Sequence, residues 1–161
     1  MLVSEKKLVP SEPSSMQAGE RQSFVTMRVN GQLFGASVMT VQDVVREQKI
    51  ARIPLAPHVV EGSLNLRGRI VTVINMYKRL GLPTSAMPKK QMHVVIEYRD
   101  ELFSLMVDAV GDVLTLSVNQ IDKVPVNIQS SWREMAAGIC RLDGELLVLF
   151  DIAELMRFNL S

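Results

Sequence analysis

One cysteine among 161 residues leaves nothing for an internal disulfide and excludes cysteine-rich zinc chemistry; a lone Cys140 suits a reducing compartment. Neither charge sign prevails, with 18 Lys and Arg against 17 Asp and Glu, so no global field favours nucleic acid or an anionic membrane. No run reaches the roughly 18–20 apolar residues of a membrane helix, so direct membrane insertion is not expected. The first residues also lack the apolar core of a secretory signal, and a cytoplasmic protein is expected. The phosphate-binding P-loop, the dinucleotide fingerprint, the HExxH zinc motif and the GxSxG elbow are all missing. His58 lies in a proline loop, and His93 is expected on the outer side of a strand. No catalytic residue, metal site or cofactor is therefore expected, and an enzyme using His93 and Cys140 is the remote alternative.

The chain does have 47% apolar content with 22% charge, which is the composition of a soluble globular protein. Residues 1–22 mix Ser, Pro, Glu, Lys and Gln without a sustained period and are expected to form a flexible tail. From Phe24 the pattern alternates, Val25, Met27 and Val29 sharing one strand face, until Asn30–Gly31 supplies a hairpin turn. Further extended stretches are expected over 33–38, 41–45, 59–66 and 69–75, followed by a short helical segment at 76–80. The same order returns at 92–98, 102–107, 110–118, 137–142 and 145–151, with a helical tail at 152–158.

That return is a duplication. At an offset of 69 residues, Phe24, Leu33, Phe34, Val38, Val41, Asp43, Val44 and Val45 stand over His93, Leu102, Phe103, Val107, Val110, Asp112, Val113 and Leu114. At an offset of 76, Gly62, Leu66, Gly68, Ile70, Val71, Val73 and Asn75 stand over Gly138, Leu142, Gly144, Leu146, Leu147, Leu149 and Asp151. The expected fold is all-β: two tandem, pseudo-symmetric, five-stranded small barrels of SH3-like form with short helical segments. Their ranges are about 23–82 and 91–158, within one domain spanning 23–158, and an exchange of strands between them is left open. The seam between the copies suggests a docking surface.

Several side chains stand out against a structural explanation. Arg67 occupies a hairpin turn whose counterpart is Asp143, the residue that turn chemistry prefers, so local stability does not account for the arginine. A guanidinium there suits a carboxylate on a partner; the plainer reading is a solvated residue in a type II turn. Asp43 and Asp112 match in register and are either carboxylates bonded to backbone at a strand bend or, for Asp43, part of an exposed ridge. Cys140 is expected to be a small buried residue, since it falls on Leu64. Trp132 is either a lid over the second barrel or an exposed contact.

Val41–Gln42–Asp43–Val44, Arg52–Ile53–Pro54, Gly62–Ser63–Leu64–Asn65–Leu66–Arg67–Gly68, Val107–Asp108, Asp112–Val113–Leu114 and the closing stretch 138–155 together resemble the chemotaxis coupling protein family, CheW. The resemblance covers about 24–158, and Asn65–Leu66–Arg67–Gly68 is its most specific word. It departs at Thr72 and Asn75, where the family usually has Pro and Asp, and at Asp43, where it often has Glu; Asn75 can still cap the turn that follows. The resemblance implies a non-enzymatic adaptor between the cytoplasmic tips of methyl-accepting chemoreceptors and the regulatory domain of the chemotaxis histidine kinase. Such an adaptor is monomeric alone and built into rings or arrays with its partners at the membrane. The alternative is the same module in a pilus-motility or other chemosensory-type pathway. The receptor surface implied comprises Val41, Gln42, Asp43, Val44, Arg67, Ser104 and Val113, and the kinase surface Ile50, Ile53 and Leu55.

Overall fold

The computed structural model describes residues 20–128 and 130–158. The first half of the chain folds as β1 (Arg21–Val29), β2 (Gln32–Ser37), β3 (Val41–Val45), β4 (Val60–Leu66), β5 (Arg69–Asn75) and α1 (Met76–Leu80). The second half gives β6 (Met92–Tyr98), β7 (Glu101–Val107), β8 (Ala109–Ser117), α2 (Ser130–Met135), β9 (Ala136–Leu142), β10 (Glu145–Phe150) and α3 (Ile152–Leu155). Local chemistry sets these boundaries. Asn30 and Gly31 both hold positive φ, at 51° and 84°, as a type I′ hairpin between β1 and β2 requires. The side chains of Asn75 and Asp151 cap α1 and α3, accepting from the Lys78 and Glu154 amides at 3.2 Å each.

Hydrogen bonding exchanges strands between the halves. The first sheet runs β8-β1-β2-β10-β9 and the second β3-β6-β7-β5-β4, so neither contiguous range, 23–82 or 91–158, supplies a whole sheet. Two short joins make the switch: residues 38–40 carry the chain out of the first sheet, and Asp108 carries it back.

The sheets are SH3-like in form, but closed barrels must be corrected to open ladders. Among the described residues the end strands of each sheet are not paired with one another. Instead the segment after each end strand reaches round to the opposite edge and makes one bridge, Ala51 with Ser63 and Asp122 with Ile139. Single bridges leave little room for side chains at the crossing. Gly62 and Gly138, which correspond in the duplication, stand where a Cβ would press on the Ala51 and Asp122 carbonyls, respectively.

Each sheet wraps a small core. Phe24, Leu33, Leu116, Cys140, Leu147 and Leu149 fill the first, and Leu64, Val71, Val73, Val95, Leu102 and Met106 the second. The pairs Leu33/Leu102, Leu64/Cys140, Val71/Leu147 and Val73/Leu149 fall in the two duplication registers. Between the sheets lies a larger core that includes Met27, Phe34, Ile74, Tyr77, Val94, Leu105, Ile139 and Phe150. The seam is thus the centre of the molecule, where these apolar groups cover one another.

The halves also cap each other's helices. The Trp132 indole donates to the Leu80 carbonyl at the end of α1 at 3.0 Å, and Arg79 donates to the Leu155 and Glu154 carbonyls at the end of α3 at 2.8 and 3.0 Å. Trp132 is therefore a lid, packed edge-on against Phe34 at 5.4 Å.

The tail expected over 1–22 needs a new boundary. Residues 1–19 lie outside the described residues, but Arg21 and Gln22 belong to β1 and face Ser117 and Leu116, and the Glu20 carbonyl accepts from the Val118 amide. Backbone pairing at an exposed strand end asks nothing of the side chains, so these polar residues show no alternation.

Candidate functional site

The β4–β5 turn presents Arg67 in an unusual way. Arg67 and Gly68 have φ of 53° and 84°, a type I′ turn rather than type II, with the Asn65 carboxamide oxygen accepting from the Gly68 amide at 2.9 Å. In the corresponding Asp143–Gly144 turn only the glycine, at 76°, lies in the left-handed region. An L-residue pays roughly 1–2 kcal/mol for that conformation, and nothing in the turn requires an arginine.

The guanidinium reaches Asp43 at 2.5 Å, with the arginine side chain 72% exposed and the carboxylate 25% exposed. The other Asp43 oxygen accepts from the Val44 amide at 2.9 Å, so the carboxylate does bond to backbone at a strand irregularity as well as pairing across space. Arg67 holds the Asp43 carboxyl below its ordinary range, and the Val44 amide adds to this.

Asp43 gets there through a bulge. Val41 faces Ile96 and Asp43 faces Val95, so Gln42 is the extra residue in β3. Gln42 is exposed, Val41 packs on the central core, and Val44 is partly exposed. Ile70, two residues past Gly68, is 65% exposed and was not among the expected receptor residues. Its signal was available: an isoleucine at a solvent-facing position beside a glycine turn.

Two of the expected receptor residues differ from this group in sheet or in burial. Val113 is exposed on β8, an end strand of the first sheet, whereas Asp43 and Arg67 belong to the second. Ser104 has no exposed surface; its hydroxyl lies 2.7 Å from His93 Nδ1 inside the second sheet, so its expected surface role is corrected to a buried partner. His93, expected on an outer face, is likewise buried.

The Arg52–His58 loop forms a second surface. Leu55 is fully exposed with φ 61°, an uncommon state for a bulky residue, and Ile53 is 39% exposed beside it. They border a cleft of about 430 Å³ that Glu61 and Lys78 also line, and these two side chains approach to 3.8 Å. Ile50 is the exception among the three expected kinase residues. It is half-buried against the small core of the second sheet, because the Ala51–Ser63 bridge draws it inward.

Burial pushes the Cys140 thiol above its ordinary pKa, away from the nucleophilic thiolate. Among the described residues no three His, Cys, Asp or Glu side chains cluster as metal ligands, and no helix is long and apolar enough to cross a membrane.

Comparison with known proteins gives one consistent result. Residues 23–159 match the CheW-like domain. The chain is 29% identical to the chemotaxis protein CheW of Bacillus subtilis over 86% of its own length and 87% of the relative's. It is 28% identical to Protein PilI of Pseudomonas aeruginosa, over 89% and 80% respectively. Among solved structures, the scaffolding protein TtCheW of Thermoanaerobacter tengcongensis superposes with a TM-score of 0.77 at 27% identity, covering 87% of this chain and 95% of that one.

Proposed function

The chain belongs to the CheW-like domain family, and from that premise we propose that it is a non-enzymatic scaffold coupling chemoreceptors to the chemotaxis histidine kinase in signalling arrays. The observation that carries this reading is the extent of the match: residues 23–159 take in both sheets, both candidate surfaces and the helices that cap them. An adaptor needs two surfaces that can be occupied together, and the fold offers two that are chemically unlike. The ridge of Gln42, Asp43, Val44 and Arg67 is charged and apolar together, suited to a receptor tip that brings a carboxylate and small apolar side chains. The loop of Ile53 and Leu55 presents exposed apolar side chains beside a polar cleft, suited to the regulatory domain of the kinase. The protein works in the cytoplasm, recruited to membrane-associated arrays through these contacts.

Reconstitution is the test. Purified kinase, receptor cytoplasmic fragments and this protein are mixed with ATP, leaving out one at a time. Kinase activity that responds to receptor only when the protein is present supports the scaffold; a response that is the same without it removes the reading. The resemblance to PilI favours one other setting, the same adaptor in a pilus-motility pathway. The two settings separate by which receptor and kinase pair the protein retains in that mixture.

A further inference from the structure

The two small cores follow one plan and differ in kind at one pair of positions. In the first sheet Phe24 lies beside Gly35, where a Cβ would come within 3.1 Å of a Leu149 methyl and 3.4 Å of the Phe24 Cβ. The 69-residue register puts His93 at the position of Phe24 and Ser104 at that of Gly35. The second sheet therefore encloses an imidazole and a hydroxyl, 2.7 Å apart, where its sibling encloses a phenyl ring and a glycine. Leu64, Val71, Val73, Val95, Leu102 and Met106 make up the rest of that core.

A neutral imidazole fits such a place, because the Ser104 hydroxyl can donate to or accept from Nδ1. An imidazolium does not. Among the described residues no carboxylate bonds to the ring. His93 faces Val45 of β3 and Met106 of β7, β4 and β5 present Leu64, Val71 and Val73, and Glu47 beyond β3 is the one charge whose field favours the proton. Glu47 is itself exposed, as are Arg69, Glu97 and Glu101 on the same sheet, while Asp43 and Glu61 pair with Arg67 and Lys78.

We propose that the His93–Ser104 pair makes the second sheet acid-sensitive: proton uptake loosens this sheet and the surfaces built on it, while the sheet around Phe24 and Gly35 is unaffected. The surfaces concerned carry Asp43, Arg67 and the Arg52–His58 loop, so a fall in internal pH would weaken whatever docks there. This holds independently of which partners those are.

The sign follows from burial. Desolvation, opposed by Glu47, holds the His93 pKa below its ordinary value, and an opened sheet restores the ordinary value of about 6.5. The opened state then takes up a proton first as pH falls. The contribution of neutral His93 to stability is complete above about pH 6.5, declines as pH drops through the window beneath it, and levels off below the folded-state pKa. Within that window each pH unit raises the opening constant by at most about tenfold, the limit for one extra proton bound.

Amide hydrogen exchange of the full chain, corrected for intrinsic rates, tests this between about pH 7 and about pH 5.5. Amides of β6 and β7 should lose protection severalfold relative to those of β1 and β2, and the double variant His93→Phe/Ser104→Gly, which imports the sibling core, should remove the difference. Equal loss in both sheets, or the same difference in the variant, overturns the proposal. The His93 ring resonances of the wild-type protein give a reading that needs no variant. A ring that titrates at or above the ordinary imidazole value while β6 stays protected also overturns it.

Discussion

The side chains of Asp43 and Arg67 join the two ends of one sheet. Asp43 lies on the end strand β3 and Arg67 in the turn leaving the opposite end strand β4, with β6, β7 and β5 between them in the ladder, yet the two meet at 2.5 Å. Together with the Ala51–Ser63 bridge, this contact links the two ends of the second sheet without closing the ladder. The first sheet has Asp112 and Asp143 at the matching positions, so an ion pair at this point is not a requirement of the fold.

Arg67→Gly should separate what the turn needs from what the surface needs. Glycine relieves a left-handed φ at a gain of roughly 1 kcal/mol, against the loss of an exposed ion pair worth about 0.2–1 kcal/mol. The melting temperature should hold or rise while receptor binding falls, as measured by thermal denaturation and by titration with a receptor fragment. A lower melting temperature with undiminished binding would make the arginine structural.

The bridging glycines should differ in what they tolerate. Gly62 has φ 155°, and an added Cβ would press hard on the Ala51 carbonyl, whereas at Gly138 it would meet the Ile121 Cγ2 methyl at 2.8 Å and the Asp122 carbonyl at 3.1 Å, without a left-handed φ. Gly62→Ala should cost about 1–3 kcal/mol, as overpacking against backbone does. Gly138→Ala should cost less, because its nearest backbone contact is longer and its φ is not left-handed. Denaturant titration of both variants gives the order.

Trp132→Phe keeps a ring against Phe34 and removes only the donor to the Leu80 carbonyl. A loss of about 0.5–1.5 kcal/mol is expected, with unchanged partner binding. A greater loss in denaturant unfolding would show that the larger indole, beyond its hydrogen bond, holds the halves together.

Asp151→Ala removes the cap of α3, and the expected cost is about 1 kcal/mol in the same measurement. Asn75→Ala should cost more. Its carboxamide caps α1 and also donates to Glu61 at 3.1 Å and to the Met87 sulfur at 3.6 Å, so three contacts go at once.

Much of this architecture is legible in the chain because its signals are local. Period-two alternation, the Asn30–Gly31 turn and the caps at Asn75 and Asp151 each arise within a few residues, and the duplication repeats them. Sheet membership is not legible in that way, since β2 pairs with β10 and β5 with β7 in parallel, across connections that no local pattern records. His93 shows a different limit. The register already set it on Phe24, a core residue, but its polarity suggested an outer face, and only the Ser104 hydroxyl at Gly35's position explains how the ring is accommodated. Ile50 likewise followed its loop neighbours in sequence but follows the bridge in space. The Arg67 pairing lay beyond reach, because it spans the two ends of a sheet whose order was unknown.

In the proposed scaffold two separate surfaces of the molecule serve two partners. Binding of receptor fragment and of kinase regulatory domain, each titrated against Ile53→Asp and Arg67→Glu, tests it most directly. Ile53→Asp removes an apolar contact worth about 1 kcal/mol, since 39% of the residue remains for a partner to bury, and sets a charge there, so it should lose the kinase while keeping the receptor. Arg67→Glu should lose the receptor, by on the order of 2–5 kcal/mol if it meets a buried carboxylate, and keep the kinase. Loss of both partners from either single substitution, in a protein whose circular dichroism is unchanged, would contradict two independent surfaces.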